Sequence, residues 1–401
     1  MMTTHDRCVC GIDIAKRKHA ACLLNSQGAV LAEFCFANDA KGFASLHQCL
    51  QEHCGNASLL VGMEATGHYW YALHDQLGRW NYLRMVLNPL QTAQQAKSAI
   101  RKHKSDARDA WHIACLVQSG QGKPAVIPGE LAMSCRQLTR LWYSLMEQRT
   151  RLKLLVHAKL EWVWPEFEGY FSNVFGPTGK ALLRAACTPQ DLTALPPETL
   201  TELLEKASRK RLGAALAERI HASARTSVGM RRGLEGVRTA IGTLLDQLDA
   251  MAPVQRQLRR EIEALAAKLP AHVLTLPGID PIRAVSLYGE TDPITTFKRP
   301  EQLVAFAGLD LTLFQTGQYL APRRKISKRG SPHLRRTLWT MAAMAIRSKG
   351  ELRRFYQKKR KRGLHHLSAV TATAIKVTRA VWRVCIDQRD YLPAGRPTTL
   401  S

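Results

Sequence analysis

No uninterrupted apolar run of about 18 residues occurs in the 401-residue chain, so no membrane-spanning helix is expected. The first residues, Met1 to Arg7, are polar and lack the apolar segment of a secretory signal. Acidic residues are scarce as well. Asp and Glu total 32 against 58 Lys and Arg, a formal charge of +26, which points to a polyanionic partner. There are ten cysteines but no Cys-x-x-Cys pair, and they are scattered along apolar segments, so neither a zinc pattern nor a disulfide framework is expected. His47, Cys49, His53 and Cys54 cluster in sequence, yet one helix would spread them over several faces. Cys8, Cys10, Cys22 and Cys35 read as small buried hydrophobes. These features describe a soluble cytoplasmic protein with room for two or three domains.

What is present centres on Lys104-Ser105-Asp106-Ala107-Arg108-Asp109. Ser105 has the chemistry of an N-cap, and Ala107, Trp111, Ala114 and Val117 have helical spacing. Asp106 and Asp109 then share one face of the first turn. Two carboxylates so close repel each other. The helix N-terminus and the flanking cations relieve part of that, and a divalent cation would relieve far more.

Upstream, strands are expected over Cys8 to Ile14, His19 to Leu24 and Ala29 to Phe36, the first carrying a lone Asp13 in an apolar run. A helix over Lys41 to His53 precedes an apolar strand from Ser58 that delivers Glu64. A helix over His68 to Gly78, a strand over Tyr82 to Leu87 and a long helical stretch after Asn88-Pro89 follow. An acid in a buried strand is expensive unless paired or metal-bound. Four carboxylates meeting at strand ends would suit Mg²⁺ or Mn²⁺, hard cations that take oxygen ligands.

This order resembles that of the ribonuclease-H-like (RuvC-like) nuclease fold, in which acids of the first strand, the fourth strand and a late helix meet around metal. That resemblance implies a set made of Asp13, Glu64, Asp106 and Asp109. The words Gly11-Ile12-Asp13-Ile14-Ala15-Lys16, Met63-Glu64-Ala65-Thr66-Gly67-His68-Tyr69 and Lys104-Ser105-Asp106-Ala107-Arg108-Asp109-Ala110 resemble the motifs of the IS110/IS1111 insertion-sequence transposases, to which the pilin-gene invertases are similar. The α/β domain is placed at residues 1–124.

Residues 125–270 read as a helical spacer. Val237, Ile241, Leu244, Leu248, Met251, Gln255, Leu258, Ile262, Leu265 and Leu269 keep a 4-3 alternation, as in a coiled coil, although Pro253 should kink or split it. The spacing fits an intrachain hairpin and an interchain coil equally, and the family resemblance favours a dimerising coil. Residues 271–390 form the third, mainly helical segment, and a disordered tail is expected over 391–401. Leu276-Pro277-Gly278-Ile279 suggests a helix-hairpin-helix element or an ordinary glycine turn. The stretch from Phe297 to Leu309, Thr316-Gly317 and Lys325-Ile326-Ser327-Lys328-Arg329-Gly330 resemble the C-terminal domain of the same transposases.

In that family a serine in a Ser-Gly dipeptide is the nucleophile that joins to DNA. The matching dipeptide here is Thr316-Gly317, so Thr316 is the candidate nucleophile and Ser327 its neighbouring substitute. Arg323, Arg324, Lys325, Lys328, Arg329, Arg335 and Arg336, with the basic run from Arg353 to Arg362, form an electrostatic footprint for phosphates. The expectation is an α/β plus all-α DNA recombinase working as a homo-oligomer (dimer or tetramer), with an element-encoded guide RNA implied by the resemblance. A junction-resolving nuclease using water and a non-catalytic nucleic-acid-binding derivative are the alternatives.

Overall fold

A computed structural model describes residues 7–54, 58–65, 67–87, 105–122, 124–125, 127–311, 315–316, 319–320 and 326–393, with the backbone alone at 315–316 and 319–320. The start of the long helical stretch expected after Asn88-Pro89 and most of the tail lie outside these residues. The chain forms two compact units, residues 1–127 and 128–401.

The first unit is built on five strands, β1 (Cys8–Asp13), β2 (Lys18–Leu24), β3 (Val30–Ala37), β4 (Leu59–Glu64) and β5 (Leu83–Leu87), in the order β3-β2-β1-β4-β5. The meander β1-β2-β3 is antiparallel, whereas β4 runs parallel to both β1 and β5. Helices cover both faces, which is why β1 and β4 read as near-continuous apolar runs rather than alternating ones. On one face Cys10, Ile12 and Met63 pack with Leu46 and Leu50 of α1 (Ala40–Cys54) and Leu73 and Leu77 of α2 (Trp70–Arg79). On the other, Val9, Leu24, Leu60 and Leu87 pack with Ile113 and Val117 of α3 (Asp106–Gln118).

All ten cysteines are free. Cys10 and Cys22 are buried as expected, and burial pushes the Cys22 thiol up to about 12 and Cys10 well above the ordinary range. Cys35 departs from the expectation: it is exposed, because β3 is an edge strand whose pattern leaves alternate residues in solvent.

Helices dominate the second unit: α4 (Glu130–Val163), α5 (Pro177–Ala185), α6 (Pro189–Thr193), α7 (Pro197–Ser208), α8 (Ala214–Arg225), α9 (Leu234–Ala266), α10 (Pro281–Thr291), α11 (Pro300–Phe306), α12 (Pro332–Ala345), α13 (Glu351–Lys361) and α14 (His366–Asp387). It has two apolar cores. Cys135 of α4, Leu258 and Ile262 of α9, and Val285, Leu338 and Val377 belong to one. Val156 and Leu160 of α4 and Val237 and Ile241 of α9, with Phe167, Leu200 and Ile220, belong to the other. The helices α4 and α9 therefore run antiparallel, each spanning both cores.

The regular seam of α9 is thus covered by α4 of the same chain, which corrects the preference for an interchain coil along this face. Buried Gln255 is matched within the chain, accepting from Arg149 Nη1 at 3.3 Å and donating to Met146 Sδ at 3.7 Å, so it can fix the register. Pro253 does not split α9. An internal proline costs about 3 kcal/mol, and burying Val237, Ile241, Leu245, Leu248, Leu258 and Ile262 returns about 1.5–3 kcal/mol each. At the turn before α10, Gly278 has φ +72 and lies against the Met341 carbonyl of α12, where a side chain would clash. Close packing explains this glycine without any phosphate ligand.

Candidate active site

Asp13 closes β1 and Glu64 closes β4. The two strands are parallel neighbours with Ile12 level with Met63, so these acids come next in step at the same sheet end. Side chains alternate across a strand, which puts Gly11 and Asp13 on one face together with Gly62 and Glu64. That is the face α3 crosses. A Cβ on Gly11 would lie under 3.0 Å from Ala110 O and Ala114 N, and one on Gly62 would clash with Val117 Cγ2. Both glycines are therefore needed for α3 to lie so close.

The direction of α3 follows from its far end. Gln118 Nε2 donates to Asn25 O at 2.8 Å, just past Leu24, which pairs with Val9 at the start of β1. The first turn of α3 thus lies toward the strand ends that carry Asp13 and Glu64. Ser105 caps it, accepting from Arg108 N at 3.4 Å, and Asp106 and Asp109 fall in that turn. Asp13, Glu64 and Asp109 are half-buried and Asp106 is exposed.

Four carboxylates on three adjoining elements form an all-oxygen donor set suited to a hard divalent cation. Their side chains do not enclose one: among the described residues, no group of three or more His, Cys, Asp or Glu is drawn together tightly enough to hold a metal ion. What the backbone supplies is the placement of all four acids toward one end of the sheet.

In the second unit Thr316 stands in a two-residue strand, level with Tyr319 in its antiparallel partner. Gly317, Arg323, Arg324 and Lys325 lie outside the described residues. At the base of this segment Leu311 bridges Ile326, Ser327 N donates to Asp310 O at 2.8 Å, and Ser327 Oγ donates to the Asp310 carboxylate. Lys328 and Arg329 are exposed. The other two expected phosphate ligands have partners inside the fold. Arg335 donates to Ala307 O at 3.1 Å, and Arg336 pairs with Glu147 and lies 5.1 Å from the centre of the Tyr143 ring.

Local sequence patterns did not reveal the network around Glu290, whose side chain is 2% exposed. Arg140 grips it with two hydrogen bonds, at 2.8 and 3.2 Å, and Ser331 Oγ donates at 3.0 Å. Ser331 also caps α12, accepting from Leu334 N at 3.2 Å. Burial alone would raise the pKa of Glu290, but Arg140, with Arg136 and Ser331, holds it below the usual carboxylate range. The network ties α4, α10 and the start of α12 together just beyond the Lys328-Arg329 turn.

Comparison with known proteins places the chain among transposases of the insertion-sequence type. A model described as "Transposase", for the IS110 group, matches residues 10–165, and one described as "Transposase IS116/IS110/IS902 family" matches residues 271–357. The chain belongs to the IS110 transposase family. It is 26% identical over 411 residues to the 44.8 kDa protein of insertion element IS116 from Streptomyces clavuligerus, covering 98% of each chain. A candidate transposase of the IS117 mini-circle from Streptomyces coelicolor is 24% identical over 90% of this chain and 89% of its own. A pilin gene-inverting protein of Moraxella lacunata is 34% identical over 109 residues, 26% of this chain and 32% of its own. No helix among the described residues is long and apolar enough to cross a membrane.

Proposed function

We propose that this transposase cuts and rejoins DNA strands by metal-assisted attack of a hydroxyl group on phosphorus. One observation carries the reading: Asp13 and Glu64 end neighbouring parallel strands on the face crossed by α3, whose first turn carries Asp106 and Asp109. The strand order and mixed directions also support assignment to the ribonuclease-H-like fold. Asp13, Glu64, Asp106 and Asp109 would hold Mg²⁺ or Mn²⁺. When bound, the metal supplies polarisation of the scissile phosphate and stabilisation of the leaving oxygen.

The Thr316 hydroxyl attacks that phosphate. A bond from its oxygen to phosphorus forms as the bond to the leaving sugar oxygen breaks, and the hydroxyl proton passes to the leaving oxygen. The protein-DNA ester is resolved when a second strand end attacks it. Lys328 and Arg329, with the basic run of α13, contact phosphates, and the +26 charge draws DNA to the chain. A guide RNA encoded by the element supplies target choice by base pairing, and the protein works as a homo-oligomer (dimer or tetramer).

Replacement of the family's serine by Thr316 favours one rival, strand cleavage by water alone. The test is to incubate the protein with Mg²⁺, labelled circular element junction and the RNA transcribed beside the gene, then look for a denaturation-resistant adduct. An adduct abolished by Thr316→Ala supports the reading. Cleavage without an adduct, unchanged in both Thr316→Ala and Ser327→Ala, assigns the attack to water.

A further inference from the structure

Between α13 and α14 the second unit holds an open groove of about 990 Å³. Its floor is apolar, with Leu352, Phe355, Ile375 and Val384 among the side chains that face it. Its rim is cationic. Lys359 and Lys376 hold their ammonium groups 5.3 and 5.2 Å from the centre of the Phe355 ring, and Arg379, Arg383 and Arg389 complete the lining. Lys376, Arg379 and Arg383 follow one face of α14 in steps of three and four residues, about 4.5 and 6 Å along the axis. Glu351, Asp387 and Asp390 also line the groove; Glu351 pairs with Lys376, Asp387 with Arg383, and Glu301, outside the lining, with Arg379 at 3.6 Å, so phosphates would exchange with these carboxylates. Five cations against three acids leave the groove positive.

An apolar, partly aromatic floor edged by cations is complementary to a strand with unpaired bases, which presents flat apolar faces and an anionic backbone together. A duplex hides its bases and would meet only the rim. The position of the groove adds to the argument. Leu311, 48% exposed, lies at its edge, and Thr316 is five residues further on, at most about 18 Å of extended chain.

We propose that this groove takes unpaired nucleotides, with bases against Phe355 and its aliphatic neighbours and phosphates along Lys376, Arg379 and Arg383. It holds a strand opened near the segment that carries Thr316. This inference rests on the reading of the chain as an enzyme acting on nucleic-acid strands.

The test uses the full chain in EDTA, titrated into a fluorescent oligothymidine and a blunt duplex over a salt series. Phe355→Leu keeps apolar bulk but removes the ring, and should weaken oligothymidine binding by about fivefold or more while leaving the duplex nearly unchanged. Changing the exposed Arg379 and Arg383 together to Gln should reduce the oligothymidine salt slope by about 1.4. Unchanged oligothymidine binding in both variants overturns the proposal, as does an equal loss for both probes. A fall in self-association by sedimentation, with oligothymidine binding intact, would assign the groove to a second copy of the chain instead. Asp13→Asn is the control: it should keep oligothymidine binding while losing strand cleavage, so a failure of the proposed chemistry is separable from a failure of the groove.

Discussion

Gly11 lies so close beneath α3 that a methyl group on it would collide with the carbonyl oxygen of Ala110 and the amide nitrogen of Ala114. Both are backbone atoms, so no rotamer change relieves the clash, and the helix itself must lift. Gly11→Val is expected to destabilise the chain by about 3 kcal/mol and to carry Asp106 and Asp109 away from Asp13. Thermal unfolding and strand cleavage measured on the same preparation check this. A variant of wild-type stability would show that α3 is not packed on β1 as described.

Divalent cations should stabilise the protein through the four acids. At a concentration of 100 times its dissociation constant, Mg²⁺ or Mn²⁺ adds about 2.7 kcal/mol to a protein it binds only when folded. Asp13→Asn and Glu64→Gln should each abolish most of that gain and lower strand cleavage by about a hundredfold or more. DNA affinity in EDTA should stay near wild type. A metal-induced rise in melting temperature that survives in both variants would place the ion elsewhere.

Acid should weaken the second unit through Glu290. Its folded-state pKa is depressed, so its contribution is fully present above the ordinary glutamate value near 4.5 and is lost as pH falls through the folded-state value. Glu290→Gln is expected to cost about 1.5 kcal/mol at pH 7, the low end for charged hydrogen bonds because Arg140 is 43% exposed. The gap between variant and wild type should close below pH 4.5. Denaturant melts at several pH values test the sign directly. A gap that widens in acid contradicts it.

The α9 seam distinguishes intrachain from interchain packing. Ile241→Ala should cost about 2–5 kcal/mol and leave the oligomeric state in sedimentation unchanged if α4 is the partner. A variant that falls apart into monomers would mean that the seam is shared between chains.

The placement of the four acids at two strand ends and a helix start is legible in the residues themselves, because a lone Asp13 or Glu64 in an apolar strand and a capped Asp106/Asp109 turn are local features. The glycines that let α3 approach carry a weaker signal: a glycine inside a strand marks close backbone contact without saying what approaches. Glu290 and Arg140 are 150 residues apart, and no periodicity links them. The 4-3 repeat of α9 specified a narrow helical seam but not its partner, since an apolar stripe packs equally well on a helix of its own chain or of another. Cys35 was misjudged because composition does not distinguish an edge strand from a central one.

The pair α4 and α9 passes uninterrupted through both cores of the second unit. One residue inserted near the middle of α4 would therefore rotate everything beyond it by about 100° and turn Val156 and Leu160 out of their core. Length changes in this region would be tolerated only when both helices lengthen together by about two whole turns, so the distance separating the two cores can vary only in discrete steps.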